Sequence, residues 1–180
     1  MTVTEGSGTR TLSPSDPRIE PWRAFLQAHA RITRRLDEEL RAEHDLSIAE
    51  YDALLTIVQA RGHRIRMGQL AEEVLLSKSG VTRLIDRLVI DGLVARDACL
   101  ADARGAEAVL TDRGLARLRE ASRTHLRGID EHFLAVIEDG DVEPLERAMT
   151  SVARQAGPGR GDPDVCATDV PEAPGPQAAG

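Results

Sequence analysis

The feature that most constrains this chain is a change of hydrophobic period across a single glycine. Val81, Leu84, Ile85 and Leu88 stand at i, i+3, i+4 and i+7, the spacing that gives a helix one apolar side. Asp91-Gly92 then closes that helix, with glycine where a left-handed residue is wanted. Leu93-Val94-Ala95-Arg96 and Ala108-Val109-Leu110 follow as short strands around the turn Ala101-Asp102-Ala103-Arg104-Gly105. A helix followed at once by a small hairpin leaves few architectures open.

The side of that helix opposite its apolar stripe carries Lys78, Ser79, Thr82, Arg83 and Arg87, with Asp86 beside them. Ser77 is its expected N-cap. Ahead of it a short segment, Gly68 to Val74, turns Leu70, Ala71 and Val74 inward and reaches Ser77 through Leu75-Leu76. Two helices joined by a tight turn and followed by a hairpin form a winged helix-turn-helix. The major groove of B-DNA is about 12 Å wide and admits one helix, whose N-terminal amides and short side chains favour close approach to phosphate. Ser77, Ser79 and Gly80 are short, so Lys78, Arg83 and Arg87 reach past them. Arg83 is the expected forked contact to guanine and Arg87 a phosphate contact. Arg104 at the hairpin tip is expected in the neighbouring minor groove, held extended by Asp102.

The rest of the chain supports one domain with loose ends. Residues 1–18 and 157–180 are rich in Gly, Pro, Ser, Ala and Asp without apolar periodicity and are expected to be disordered tails, leaving 19–156 to fold. Trp22, Phe25, Leu26, His29, Ile32, Leu36 and Leu40 mark one face of a first helix over about 20–44. Ser47-Ile-Ala-Glu50 is a capping-box pattern opening a second helix, with Tyr51, Leu54, Leu55 and Val58 along its stripe, that ends near Arg61-Gly62. Thr111 caps a long helix with Leu115, Leu118, Ser122, His125, Ile129, Phe133 and Val136 on its apolar face. Gly140-Asp141 is expected to break it before a last helix bearing Leu145, Met149 and Val152. The reading is therefore mainly α: a DNA-binding lobe over about 47–111 with a β-hairpin wing, and terminal helices over about 20–44 and 112–156. Trp22, Phe25 and Leu26, with Leu145, Met149 and Val152, give those terminal helices more apolar surface than the lobe can cover. A second copy is expected to cover it, making a homodimer.

Charge is segregated along the chain. The net charge is -7, yet residues 61–119 carry eleven cations against eight anions, and ten of the eleven are Arg, Lys78 being the other. Arginine suits forked contacts with phosphate and guanine. No apolar run approaches the roughly 20 residues a membrane helix needs, and the polar N-terminal stretch lacks a signal-peptide pattern, so a cytoplasmic protein without a membrane partner is expected. Cys99 and Cys166, far apart, exclude a disulfide framework and a four-cysteine zinc module. No Gly-rich phosphate loop, Gly-x-Ser-x-Gly or His-Glu-x-x-His is present, so no enzyme chemistry, cofactor or catalytic residue is expected. A winged helix used for protein contact, its basic face meeting an acidic partner, is the alternative to DNA binding.

At these residues the chain resembles the multiple-antibiotic-resistance regulator (MarR) family. The resemblance rests on Met67-Gly-Gln-Leu70-Ala71-Glu-Glu, Leu76-Ser77-Lys-Ser79-Gly80-Val-Thr82-Arg83-Leu84-Ile-Asp86-Arg87-Leu88, Asp91-Gly92-Leu93-Val94-Ala-Arg96, Asp102-Ala-Arg104-Gly105 and Leu110-Thr111-Asp-Arg-Gly114. It covers about residues 22–155. It implies a homodimeric transcription factor, usually a repressor, that binds double-stranded DNA at an inverted repeat and carries effector pockets between the dimer helices and the DNA-binding lobe. Three positions depart from the family pattern: Gly68 in place of a hydroxyl cap, Ala103 in place of a second wing cation, and Glu107 at an apolar strand position.

Other candidates concern small ligands. Trp22, His29, Tyr51 and His125 are candidates to line a pocket for an aromatic or phenolic acid, with Arg31 or Arg35 answering its carboxylate. His125 and His132 share a face with His29 or His44 only loosely, without a nearby Cys or a tight His-x3-His pair, so packing histidines and no metal are expected. Cys99 lies near Arg96, which favours a thiolate, but no second cysteine is close and an isolated thiol is expected.

Overall fold

The computed structural model describes residues 13, 15–74, 76–98 and 106–156. The wing-tip residues Asp102 and Arg104, together with Leu75, Cys99 and Cys166, lie outside them, as do 1–12, 14 and 157–180. The first element comes slightly before residue 19. Asp16 accepts the Arg18 amide at 2.9 Å and caps a single 3-10 turn, Pro17–Ile19. Helix α1 (Glu20–His44) follows and ends where Asp45 takes a left-handed conformation (φ 54) with its amide on Arg41 O. That conformation is tolerable for Asp, whose short polar side chain bonds locally. Next come α2 (Ile48–Gln59), β1 (Arg64–Arg66), α3 (Met67–Glu73), α4 (Lys78–Ile90), β2 (Val94–Ala98), β3 (Ala106–Leu110), α5 (Asp112–His132) and α6 (Asp139–Ala156). Among the described residues no helix is long and apolar enough to cross a membrane.

The expected stripes close on one another to make a single core. Leu40 and Leu46 meet Leu54 and Ile57 from α2, Leu70 from α3, Val81, Ile85 and Leu88 from α4, Val94 from the sheet and Leu118 from α5, all almost fully buried. Each such side chain contributes about 1.5–3 kcal/mol relative to exposure. Caps fix where the helices begin. Ser47 accepts the Glu50 amide while the Glu50 carboxylate reaches back to the Ser47 amide at 2.7 Å. Thr111 accepts from the Gly114 amide at 2.9 Å and donates to the carbonyls of Gly92 and Leu93, so one hydroxyl starts α5 and holds it to the end of α4. Gly114 lies so close to Leu93 that a Cβ there would sit 2.0 Å from the Leu93 carbonyl oxygen, and only glycine permits that approach.

Three features differ from the sequence reading. The hairpin has a third strand: β1 pairs antiparallel with β3, giving the order β1-β3-β2, with Ile65 opposite Ala108 and Arg96 opposite Ala108 from the other side. The long helix does not run to Gly140. It stops at His132, and Phe133 leaves helical geometry (φ -128) before a 3-10 turn, Leu134–Val136, while Gly140 lies in the first turn of α6. The buried face of α5 is also displaced from the larger apolar residues. Gly114, Leu118, Ala121, Thr124 and Gly128 are buried, whereas Leu115, Ser122, His125 and Ile129 are half-buried and Val136 is exposed. Small residues line this side because α1 packs closely against it.

The terminal helices keep much of their apolar surface uncovered within one chain. Trp22, Phe25 and Leu26 are 57%, 43% and 45% exposed, Met149 and Val152 are exposed, and Leu145 is half-buried.

Candidate nucleic-acid interface

The local sequence sets α4 with its polar side outward. Ser77 Oγ accepts from the Gly80 amide at 3.1 Å and lies 3.2 Å from Ser79 Oγ, which starts the helix at Lys78. Val81, Ile85 and Leu88 then enter the core, and the rotation that buries them leaves Lys78, Ser79, Thr82, Arg83, Asp86 and Arg87 exposed. Six of the eight expected DNA-contacting residues thus share one surface, counting Ser77 at its edge. The other two, Asp102 and Arg104, lie outside the described residues. Among the described residues the side chains of Lys78 and Arg83 have no hydrogen-bond or ion-pair partner, which leaves both cations available to an external anion. The Thr82 hydroxyl donates to Lys78 O at 2.9 Å, so toward a ligand it offers its methyl group and an acceptor oxygen.

Arg87 is placed differently from Arg83. Its Nε donates to Glu50 Oε1 at 2.7 Å, although the side chain stays more than half exposed. Glu50 is almost wholly buried and also accepts from the Ser47 amide and hydroxyl at 2.7 Å each. Burial alone raises its pKa, but the Ser47 bonds and the Arg87 guanidinium together hold the carboxyl below its ordinary value. The capping-box glutamate of α2 therefore anchors α4. The cap is legible in the sequence and the strut is not, because the strut's partners are far apart in the chain.

Arg96 makes a second strut. From β2, its Nη2 donates to the Thr82 carbonyl at 3.2 Å and pairs with Asp86 at 2.9 Å. Asp86 is thus matched by a cation, and the root of the hairpin is fixed to the helix it flanks. The sheet also resolves the departure at Glu107, since Arg64 on β1 pairs with Glu107 on β3 at 3.1 Å and with Asp97 on β2 at 2.7 Å. A polar residue is accommodated at that strand position because the third strand supplies its counter-charge.

The expected pocket residues separate into two groups. Trp22 stacks on Phe25 (ring centroids 5.9 Å) and Phe25 meets His29 at a tilt (6.1 Å), on an exposed part of α1. Tyr51 of α2 and His125 of α5 meet with centroids 4.5 Å apart, and Tyr51 donates to Ser122 Oγ at 3.3 Å. Among the described residues no ring contact joins the two groups. Burial raises the Tyr51 pKa and lowers that of His125, so His125 is neutral near pH 7, and its buried Nδ1 has no hydrogen-bond partner. The histidines considered for zinc are dispersed: His44 Nε2 lies 2.8 Å from Thr124 Oγ1 and His132 Nε2 2.5 Å from Glu39 Oε1.

Residues 44–105 match the family model described as MarR family. Two solved structures from Streptomyces coelicolor are similar over almost their whole length. The MarR family transcriptional regulator AbsC is 30% identical with a TM-score of 0.71, the alignment covering 82% of this chain and 98% of AbsC. The MarR family transcriptional regulator Sco3205, solved in complex with DNA, is 25% identical with a TM-score of 0.73, covering 87% and 97%. The HTH-type transcriptional regulator MhqR of Bacillus subtilis (strain 168) is 25% identical over 130 residues, 72% of this chain and 87% of that protein.

Proposed function

Because the chain belongs to the MarR family of transcriptional regulators, we propose that it is a homodimeric repressor of an inverted-repeat operator, released from DNA by a small aromatic or phenolic ligand. The observation that carries this reading is the outer surface of α4, where Lys78 and Arg83 stand uncommitted beside short side chains while the opposite face is locked in the core. In the complex Ser77 and Ser79 let the backbone approach the groove, Lys78 and Arg87 meet phosphates, and Thr82 and Arg83 face base edges. Arg83 takes the forked contact to guanine. Asp102 and Arg104 belong to the wing, which enters the minor groove.

A second copy covers Trp22, Phe25 and Leu26 together with Leu145, Met149 and Val152. Two-fold pairing sets the recognition helices about 34 Å apart, one turn of duplex, and so selects an inverted repeat. Tyr51 and His125 form the polar edge of the effector pocket, since a buried Nδ1 without a partner suits a ligand hydroxyl, whereas Trp22 and His29, on the exposed part of α1, lie apart from it.

The test is fluorescence anisotropy with an operator selected from random DNA. Affinity should fall with log salt at a slope near -0.9 per phosphate contact and should exceed that for shuffled DNA by about a thousandfold. Weak binding without sequence preference refutes this reading and favours the protein-contact module. Simple phenolic acids should lower operator affinity in the native protein and leave a Tyr51→Ala/His125→Ala variant unaffected.

A further inference from the structure

Polar cross-links fasten α1 to α5 turn by turn, and one of them is incomplete. At Glu43 the carboxylate accepts from Thr124 Oγ1 at 2.8 Å and pairs with Arg127, and the Thr124 bond leads the interactions that hold its carboxyl below the usual range. One turn earlier in α1 stands Glu39. Its Oε1 lies 2.5 Å from His132 Nε2, but its Oε2 is shielded from solvent and has no hydrogen-bond partner. That oxygen is pressed against Gly128, where a Cβ would fall 2.6 Å from it and 2.6 Å from Leu36 Cδ2. Among the described residues no Arg or Lys pairs with Glu39. A second carboxylate, Glu131, approaches instead, and ligand atoms of Glu39, Glu131 and His132 all lie within 4.8 Å of one another.

We propose that Glu39, Glu131 and His132 bind one divalent transition-metal ion of the zinc class. A Glu–His hydrogen bond accounts for Oε1 alone and leaves the buried Oε2 without a hydrogen-bond partner, and among the described residues no Arg or Lys pairs with the neighbouring Glu131. A divalent cation neutralises the two carboxylates and gives Oε2 a partner. One imidazole with two carboxylates is a mixed nitrogen and oxygen set of the kind zinc accepts, with water in a fourth position. On binding, His132 Nε2 presents its lone pair to the ion and its proton moves to Nδ1 or to solvent, so coordinate bonds replace the Glu39–His132 hydrogen bond. The ion ties the body of α1 to the last residue of α5, just before Phe133 departs from helical geometry toward α6. It thereby fixes the point from which the C-terminal helix leaves.

The test uses the full chain stripped with a chelator and titrated with cobalt(II) chloride, read by visible absorption, and with zinc chloride, read by calorimetry. One ion per chain is expected, with a thermal midpoint that rises with added zinc. Glu131→Ala, at an exposed position outside the core, should weaken binding by about tenfold or more, and Glu39→Gln/His132→Asn should abolish it. The Glu131 variant decides the matter if the double variant fails to fold. Absence of saturable binding, or binding that Glu131→Ala leaves unchanged, overturns the proposal and reduces the cluster to an interhelical Glu–His pair.

Discussion

Replacing Arg87 by alanine separates a strut from a phosphate contact. Glu50 accepts three hydrogen bonds, two from Ser47 and one from Arg87 Nε, each 2.7 Å long. Bonds to a charged partner contribute about 1.5–3 kcal/mol apiece, and the exposure of Arg87 moves its bond to the lower end or below. Arg87→Ala leaves Glu50 held by Ser47 and should cost about 1–2 kcal/mol of folding stability. Glu50→Ala removes all three bonds, strands the Ser47 amide and should cost about 3–5 kcal/mol. The double variant should cost less than the two losses added, with a coupling of about 0.5–2 kcal/mol. The assay is urea unfolding followed by circular dichroism at one fixed protein concentration, because the proposed dimerisation would make apparent stability concentration-dependent. Arg83→Ala, whose side chain has no partner among the described residues, is the control and should stay within about 0.5 kcal/mol of the parent. If Arg87→Ala leaves stability unchanged and weakens all DNA equally, the strut is refuted and Arg87 is a phosphate contact alone.

On DNA, Arg83→Ala should lose about 1–3 kcal/mol of affinity and relax base preference at one position of each half-site, checked by binding to a panel of single-base operator variants. The depressed Glu50 carboxyl predicts a pH effect of definite sign: its contribution is fully present above the ordinary value of 4.5 and is lost as pH falls through the lower folded value. Urea midpoints of the parent should therefore fall more steeply than those of Glu50→Gln in that acid range. Gly114→Ala forces a Cβ against the Leu93 carbonyl oxygen and should destabilise by about 1–3 kcal/mol despite alanine's better helix propensity, measured as a lowered thermal midpoint. Trp22→Glu with Leu145→Glu should yield monomers in sedimentation velocity; a persistent dimer places the interface elsewhere.

Local patterns were legible where each residue's neighbours in sequence are also its neighbours in space. The stripe of Val81, Leu84, Ile85 and Leu88, the caps at Ser47, Ser77 and Thr111, and Gly92 at φ 70 all follow from spacing within a few positions. β1 was not legible, since Arg-Ile-Arg has no apolar run of its own and becomes a strand only by pairing with β3. The end of α5 was misread because Phe133 and Val136 continue the three-and-four spacing through a 3-10 turn, which keeps nearly the same period while changing the backbone. Of the candidate interface, the outward residues of α4 follow from its periodicity. The Arg87–Glu50 and Arg96–Asp86 struts, and the Arg64–Glu107 pair that offsets a departure from the family pattern, depend on which elements tertiary packing brings together.

If α4 reads DNA as proposed, the Arg96 clamp limits how a half-site can vary. With β2 bonded to both the backbone and a side chain of α4, the hairpin root is tied to that helix. The offset between that helix and the root of the hairpin is then set by the protein. Operators can differ in many bases, but one that shifts these two segments by a single base pair must itself bend or twist to keep both.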